Sequence, residues 1–218
     1  MTTTLDAARA AVKKLKVFPL PPVVLLPGSA APLHIFEPRY RELVKAALAS
    51  DGLFAMAQVL PGQEALLAGA PKLEDIVCVG HIGPHEELPD GRYNLVLIGI
   101  ARARLKRELP ATALYREFEA ELLEDTDVPG ADEALRQAVV ELVARVPTDV
   151  GQRVAQVASR ATGGALADLV ASTFLTDPQR RFQVLCELDV ATRLEIVTEE
   201  LLSLVGHIKP RKPDAFMN

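Results

Sequence analysis

Two periodicities divide the chain. Up to about residue 125, apolar residues come in short runs or alternate with polar ones, the spacing of β-strands. Beyond it they recur every three or four residues, the spacing of amphipathic helices. In the first half, Val23–Leu26 reads as a buried strand running into a Pro27-Gly28 turn. Pro32-Leu33-His34-Ile35-Phe36 follows as a proline-held extended segment. Glu37-Pro38 then reads as a helix start, because proline fits the first helical turn. That helix, Pro38–Ala49, would turn Tyr40, Leu43, Val44, Ala47 and Leu48 inward, and it is the one helix expected in this half. Leu53–Leu60 and Ile76–Ile82 read as buried strands. Pro89-Asp90-Gly91 supplies a hairpin reversal into a long strand, Tyr93–Leu109. This strand is apolar on both faces at Leu95–Ile98 and alternates from Ala101, with Arg102, Arg104 and Lys106 on one side. A bend at Gly99 would let it serve two sheets. Tyr115–Leu123 alternates again, with Tyr115, Glu117, Glu119 and Glu121 on one face.

After Asp127-Val128-Pro129-Gly130 the pattern is helical. Asp132 can cap a helix with the stripe Leu135, Val139, Leu142 and Val146, ended by Pro147. Thr148 or Asp149 starts a second, with Val150, Val154 and Val157. Gly163-Gly164 precedes a third, with Leu166, Leu169, Val170 and Phe174, and Asp177-Pro178 opens a short fourth. The last runs from Asp189 to about Val205, with Val190, Leu194, Val197, Leu201 and Leu204 inward. The pattern therefore predicts an α+β chain, a β-barrel-like domain followed by a helical bundle. The segments are an N-terminal extension (1–16), the barrel (17–126), the bundle (131–207) and a loose, Pro-rich charged tail (208–218).

Composition narrows the class. With 49% hydrophobic and 24% charged residues among 218, the chain has the balance of a folded globular protein rather than a disordered one. Its longest uncharged stretch, Phe18–Leu33, is broken by five prolines and cannot be a membrane helix. Residues 5–16 carry Arg9, Lys13, Lys14 and Lys16 and lack an unbroken apolar core, which reads as a plain extension rather than a signal peptide. An organelle transit peptide is the weaker alternative. Cys78 and Cys186 lie far apart in apolar surroundings, the usage of reduced core thiols in a cytoplasmic protein. Residues 1–110 carry 13 basic and 11 acidic side chains, and residues 111–218 carry 11 and 18, giving the net −5. Neither half has the positive excess of a dedicated nucleic-acid binder.

Candidate chemistry is sparse. Cys78-x2-His81-x3-His85-Glu86 holds metal-ligand types, but on a strand Cys78 and His81 point to opposite faces, and Gly83-Pro84 interrupts the run before His85. The reading is a core cysteine with surface histidines and no metal. His34 has no nucleophile or paired carboxylate near it in the chain and reads as a partner of its own turn rather than a base. Gly80-His81-Ile82-Gly83 matches the KH-domain GxxG only superficially, since it lies between β segments. No Gly-Lys pair exists for a P-loop, and Ser29, Ser50, Ser159, Ser172 and Ser203 lack a nucleophile-elbow context. No catalytic residue and no cofactor are expected. The basic stripe of Arg102, Arg104 and Lys106, with Arg107 beside it, is read as the wet face of a strand pairing with Glu117, Glu119 and Glu121; RNA binding is its alternative use. Leu33, Ile35, Phe36 and Tyr93 are the peptide-binding candidates, because an extended proline-held loop cannot turn all its apolar side chains to a core. The competing reading is that Ile35 and Phe36 plug the barrel end.

Phe18-Pro19-Leu20, Val24-Leu25-Leu26-Pro27-Gly28, Pro32 to Tyr40, Val79-Gly80, Leu88 to Asn94 and Gly99-Ile100-Ala101-Arg102 occur in an order that resembles the N-terminal substrate-binding domain of Lon proteases. Ala167-Asp168-Leu169-Val170-Ala171 and Leu188 to Glu195 extend the resemblance to its helical part, over roughly residues 17 to 206. The resemblance implies a six-stranded PUA-like β-barrel carrying one helix, then a helical bundle. It also implies a stand-alone, non-enzymatic module that binds unfolded or tagged polypeptides, as an adaptor or alongside an ATP-dependent protease, and leaves a homodimer open. The alternative is a PUA-like RNA binder using Arg102, Arg104 and Lys106.

Overall fold

Leu15–Pro19 forms the first strand, β1, with Leu15, Val17 and Phe18 buried. In the computed structural model, which describes residues 4–63, 69–126 and 130–208, it is followed by β2 (Ala30–Ile35), β3 (Leu53–Ala57), β4 (Ile76–Glu87), β5 (Tyr93–Glu108) and β6 (Arg116–Leu122). The strands make one six-stranded sheet in the order β2-β5-β4-β3-β1-β6. β1 and β3 run parallel and the other pairs antiparallel, and β6 hydrogen-bonds to β5 as well as to β1. Among the described residues there are seven α-helices: α1 (Thr4–Ala11), α2 (Pro38–Leu48), α3 (Glu133–Val143), α4 (Thr148–Ala158), α5 (Gly163–Phe174), α6 (Pro178–Cys186) and α7 (Val190–His207). The chain is α+β. Its contacts divide it into two compact units, Met1–Glu124 with Asp177–Cys186, and Asp125–Thr176 with Glu187–Asn218.

In the first unit, Leu15, Val17, Leu53, Ala55, Val77, Val79, Ala103 and Phe118 form the sheet's core. Ala8 of α1 is fully buried against them, with Ala7 and Ala11 packed alongside. This half therefore has more than the single expected helix. Alanines bury little area each, so α1's inward face carries a weak hydrophobic signal. The α2 helix turns Tyr40, Leu43, Val44 and Ala47 inward as expected, but leaves Leu48 exposed.

Three local expectations need correction. Val23–Leu26 is no strand. Val24, Leu25 and Leu26 are buried, yet their backbone closes turns instead: the Val23 N–H donates to Leu20 O, and Ser29 meets both the N–H and the carbonyl of Leu26. Pro32–Ile35 is not a loop but the body of β2, whose buried positions alternate through Ala31, Leu33 and Ile35. A proline is tolerated because β2 stands at the end of the strand order and needs no amide donor on its outer side. The Gly83-Pro84 pair does not interrupt β4 either; the strand continues past it through a register shift between Ile82 and His85.

β5 does not serve two sheets: within the one sheet it pairs with β4 along most of its length and changes its other neighbour midway. Residues Tyr93–Ile98 pair with β2, and Ala103–Glu108 pair with β6. Gly99 sits at the changeover, exchanging hydrogen bonds with the Gly28-Ser29 turn: the Gly28 N–H donates to Gly99 O, and the Gly99 N–H to Ser29 O, both at 2.9 Å.

In the second unit, α3 packs against α7 and α4, and α5 packs against α7. The buried faces are Leu135, Ala138, Val139 and Leu142 on α3, Leu166, Ala167, Val170 and Ala171 on α5, and Val190, Leu194, Val197, Leu201 and Val205 on α7. Leu204, expected inward, is exposed, and Val205 takes its place. Asp189 caps α7 by accepting the Thr192 N–H at 2.8 Å, a bond that holds its carboxyl below the usual aspartate range. Asp132 precedes α3 without capping it. Its carboxylate accepts instead from the Gly163 N–H at 3.1 Å and from Arg136 at 2.8 Å, and these bonds likewise lower its pKa. The turn at 127–129 and the tail from residue 209 lie outside the described residues.

Candidate functional site

The outer face of β2, β5 and β4 carries an open, largely apolar concavity. Strand alternation sends Ala31, Leu33 and Ile35 to the core and leaves Ala30, Pro32 and His34 outside. The partners of those three on β5 are Ile98, Val96 and Asn94. Of these, Pro32, His34, Asn94 and Val96 line a shallow groove of about 600 Å³ together with Pro84, His85 and Glu86 of β4. Ile98 is 38% exposed at one end. At the other, just past the end of β2, Phe36 is 60% exposed. Six residues of extended chain separate them in register, about 20 Å at 3.3 Å per residue.

A polar chain borders the Phe36 end. The His34 ring stacks on Phe36 with centroids 6.1 Å apart and planes 26° from parallel. His34 Nδ1 donates to Asn94 Oδ1 at 2.7 Å, which leaves Nε2 as the acceptor facing Arg92 Nη1 at 3.5 Å. Arg92 Nε in turn binds Asp90 at 2.6 Å. An amide and a guanidinium, not a carboxylate, thus orient the imidazole, the setting of a positioning group rather than of a general base. An exposed aromatic held by a stacked neighbour, beside an apolar groove with hydrogen-bonding groups on its rim, can receive an extended polypeptide.

Of the four peptide-binding candidates, only Phe36 is exposed. Leu33, Ile35 and Tyr93 are buried, with Leu33 and Tyr93 facing Leu95 and Ile35 across the β2–β5 ladder. Burial, reinforced by the Glu87 carboxylate, pushes the Tyr93 phenol up. Of these three, only Leu33 also borders the groove. Val96 and Pro84 are groove residues outside the four candidates, and Ile98 is exposed nearby; the doubly apolar run Leu95–Ile98 signals Val96 and Ile98, since the outward half of such a run must either be covered or stand exposed.

The other sequence candidates disperse. Cys78 is fully buried, whereas His81 and His85 are exposed and His85 Nδ1 meets Gly83 O at 3.0 Å. Among the described residues, no three His, Cys, Asp or Glu side chains gather to hold a metal ion. The basic stripe is also broken. Arg102 is 3% exposed and donates from Nε to Leu185 O at 2.9 Å and from Nη2 to Val184 O at 3.2 Å, so it anchors α6. Arg104 lies 3.4 Å from Asp75, Lys106 pairs with Glu121, and Arg107 with Glu119 at 2.6 Å. Glu117 is not on the wet face; it is buried and paired with Lys14 at 3.2 Å. Alternation alone placed Arg102 outside because α6, which covers it, lies far away in sequence. No helix among the described residues is long and apolar enough to cross a membrane.

Residues 14–203 match the model of the ATP-dependent protease La (Lon) substrate-binding domain. The chain belongs to this family. It is 26% identical over 206 residues to a Lon protease of Heliobacterium modesticaldum, covering 90% of this chain and 24% of that protein. It is 30% identical over 192 residues to Lon protease 4 of Sorangium cellulosum, covering 83% and 23%. The chain thus spans about a quarter of the length of these relatives. The fold is that of solved Lon N-terminal domains. The N-terminal domain of Mycobacterium avium complex Lon protease superposes with a TM-score of 0.68 at 21% identity, over 87% of this chain and 98% of that one. A Lon N-terminal domain protein from Xanthomonas campestris gives 0.60 at 22%, over 90% and 99%.

Proposed function

We propose that this chain is a protein-recognition module that holds unfolded or tagged polypeptides on the outer face of β2 and β5 without hydrolysing them, and that it presents them to an ATP-dependent protease. The observation that carries the reading is Phe36, a large aromatic left 60% exposed at the end of an apolar groove. Exposed apolar surface of this kind commonly marks a partner site. Family membership in a substrate-binding domain supports the class of ligand. We read the first unit as a PUA-like barrel, a reading supported by strand pairing that leads from β5 through β4, β3, β1 and β6 back to β5. Two well-separated thiols, neither in a disulfide, suit a reducing cytoplasmic setting.

Because Phe36 is exposed, Phe36→Asp should leave the melting temperature within a degree or so of the parent. The same change should weaken binding of a fluorescent, permanently unfolded polypeptide by about tenfold, the loss of roughly one aromatic anchor. Fluorescence anisotropy reads the outcome. Unchanged affinity in a folded Phe36→Asp variant would remove this face from the binding surface.

A further inference from the structure

The first unit carries a second concavity of different chemistry, lined by none of the residues of the β2–β5 groove. A pocket of about 610 Å³ is walled by Pro21, Pro22, Pro61, Pro178 and Phe182, with Gln58, Val59 and Glu74 on its β side. The walls are fixed. The Gln58 side-chain amide donates to Val23 O at 2.5 Å and to Leu20 O at 3.4 Å, holding the proline segment. The Glu74 N–H donates to Gln58 O at 2.9 Å, which sets the position of the acidic residue.

Glu74 is the unusual member. Among the described residues, no cation pairs with its half-buried carboxylate, whereas the neighbouring Asp75 has Arg104 at 3.4 Å. Burial, with Asp75 adding to it, raises the Glu74 pKa, so the ionised form lacks compensation where it stands. A partly desolvated carboxylate beside apolar walls suits a cationic head on an apolar stem. Lysine and arginine side chains have that build, their methylenes lying along apolar surface while the charge stays at a polar rim.

We propose that this pocket is a second contact for the bound polypeptide and takes one of its lysine or arginine side chains, the stem against Pro21, Pro22, Pro178 and Phe182 and the head at Glu74. The proposal rests on the reading of the chain as a polypeptide binder and adds a preference that the apolar β2–β5 face cannot supply. A chain that touches both places would be selected for a basic residue as well as for apolar ones.

The test uses the full chain and two short fluorescent peptides on a Gly-Ser background, each with a central residue flanked by valine and phenylalanine. That residue is lysine in one peptide and norleucine in the other. The lysine peptide should bind the parent protein about tenfold more tightly, the scale of one partly desolvated charge pair. Glu74→Gln should equalise the two, and Phe36→Asp should weaken both alike. Amide shifts at Gln58, Val59 and Phe182 of the parent protein should follow the lysine peptide and not the norleucine one, a readout that holds even if the Glu74→Gln variant melts early. Equal affinity of the parent for both peptides, or a lysine preference that survives Glu74→Gln, overturns the pocket's role while Phe36-dependent binding still stands. Absence of binding by either peptide counts against both sites.

Discussion

Arg193→Ala is expected to destabilise the second unit by about 3–5 kcal/mol, the range for removing one partner of a buried ion pair. Arg193 is fully buried on α7. Its Nη1 donates to Asp125 Oδ1 at 3.0 Å and to Glu187 O at 2.8 Å, its Nη2 pairs with Asp125 Oδ2, and its Nε lies 3.6 Å from Asp168 Oδ1. The two acids differ in what they lose. Asp125 is 34% exposed at the side chain and can recover water, whereas Asp168, at 3%, loses a nearby cation inside the unit. The cluster also fixes the segment entering the unit: the Thr126 N–H donates to Leu188 O, and the Val190 N–H to Thr126 O. Gly164 makes room for it, since a Cβ there would stand 2.1 Å from Arg193 Nη2. Urea denaturation of the single variant, and of Arg193→Met combined with Asp168→Leu, checks the argument. The double variant should recover much of the loss, because it leaves no stranded charge. A single-variant cost below about 1 kcal/mol would place the cluster among ordinary surface pairs.

Gly99→Ala should cost about 2–4 kcal/mol, an overpacking term plus weakened hydrogen bonds. A Cβ at Gly99 would lie 2.2 Å from Leu26 O, 2.9 Å from Leu26 C and 3.0 Å from Cys78 Sγ. Backbone atoms cannot rotate aside. Relief requires the 26–29 turn to lift away from β5, straining the Gly28–Gly99 and Gly99–Ser29 hydrogen bonds that hold it. That turn leads directly into β2, so the variant should also disturb the β2–β5 face. A thermal melt reads the first effect, and polypeptide binding at temperatures where the variant is folded reads the second. Parent-like stability would mean that the turn moves freely.

Much of this architecture was legible because local chemistry and global fold agree. Pro38 at a helix start, Pro89-Asp90-Gly91 at a reversal, Gly99 at a changeover and the shift to helical spacing after residue 125 each need only nearby residues. Features set by distant chain were not legible. Arg102 reads as wet until α6 covers it, and Val23–Leu26 cannot be told from a strand until its amides are seen closing turns. Arg193 carried a signal that went unused: it lies three residues after Val190 and four before Val197, on the buried stripe of α7. For the candidate site, alternation identified an apolar excess around Leu33–Phe36 but not which members it would expose. That depended on β2 being a strand, which sends Leu33 and Ile35 inward and leaves Phe36 past its end.

The most direct measurement is an amide NMR titration of the full chain with a reduced, carboxymethylated protein that cannot fold. Shifts or broadening should concentrate at His34, Phe36, Asn94, Val96 and Ile98, with the added polypeptide recovered intact. A spectrum unchanged at those five residues, or a polypeptide recovered cleaved, would contradict the assignment of this face as a binding surface without chemistry of its own.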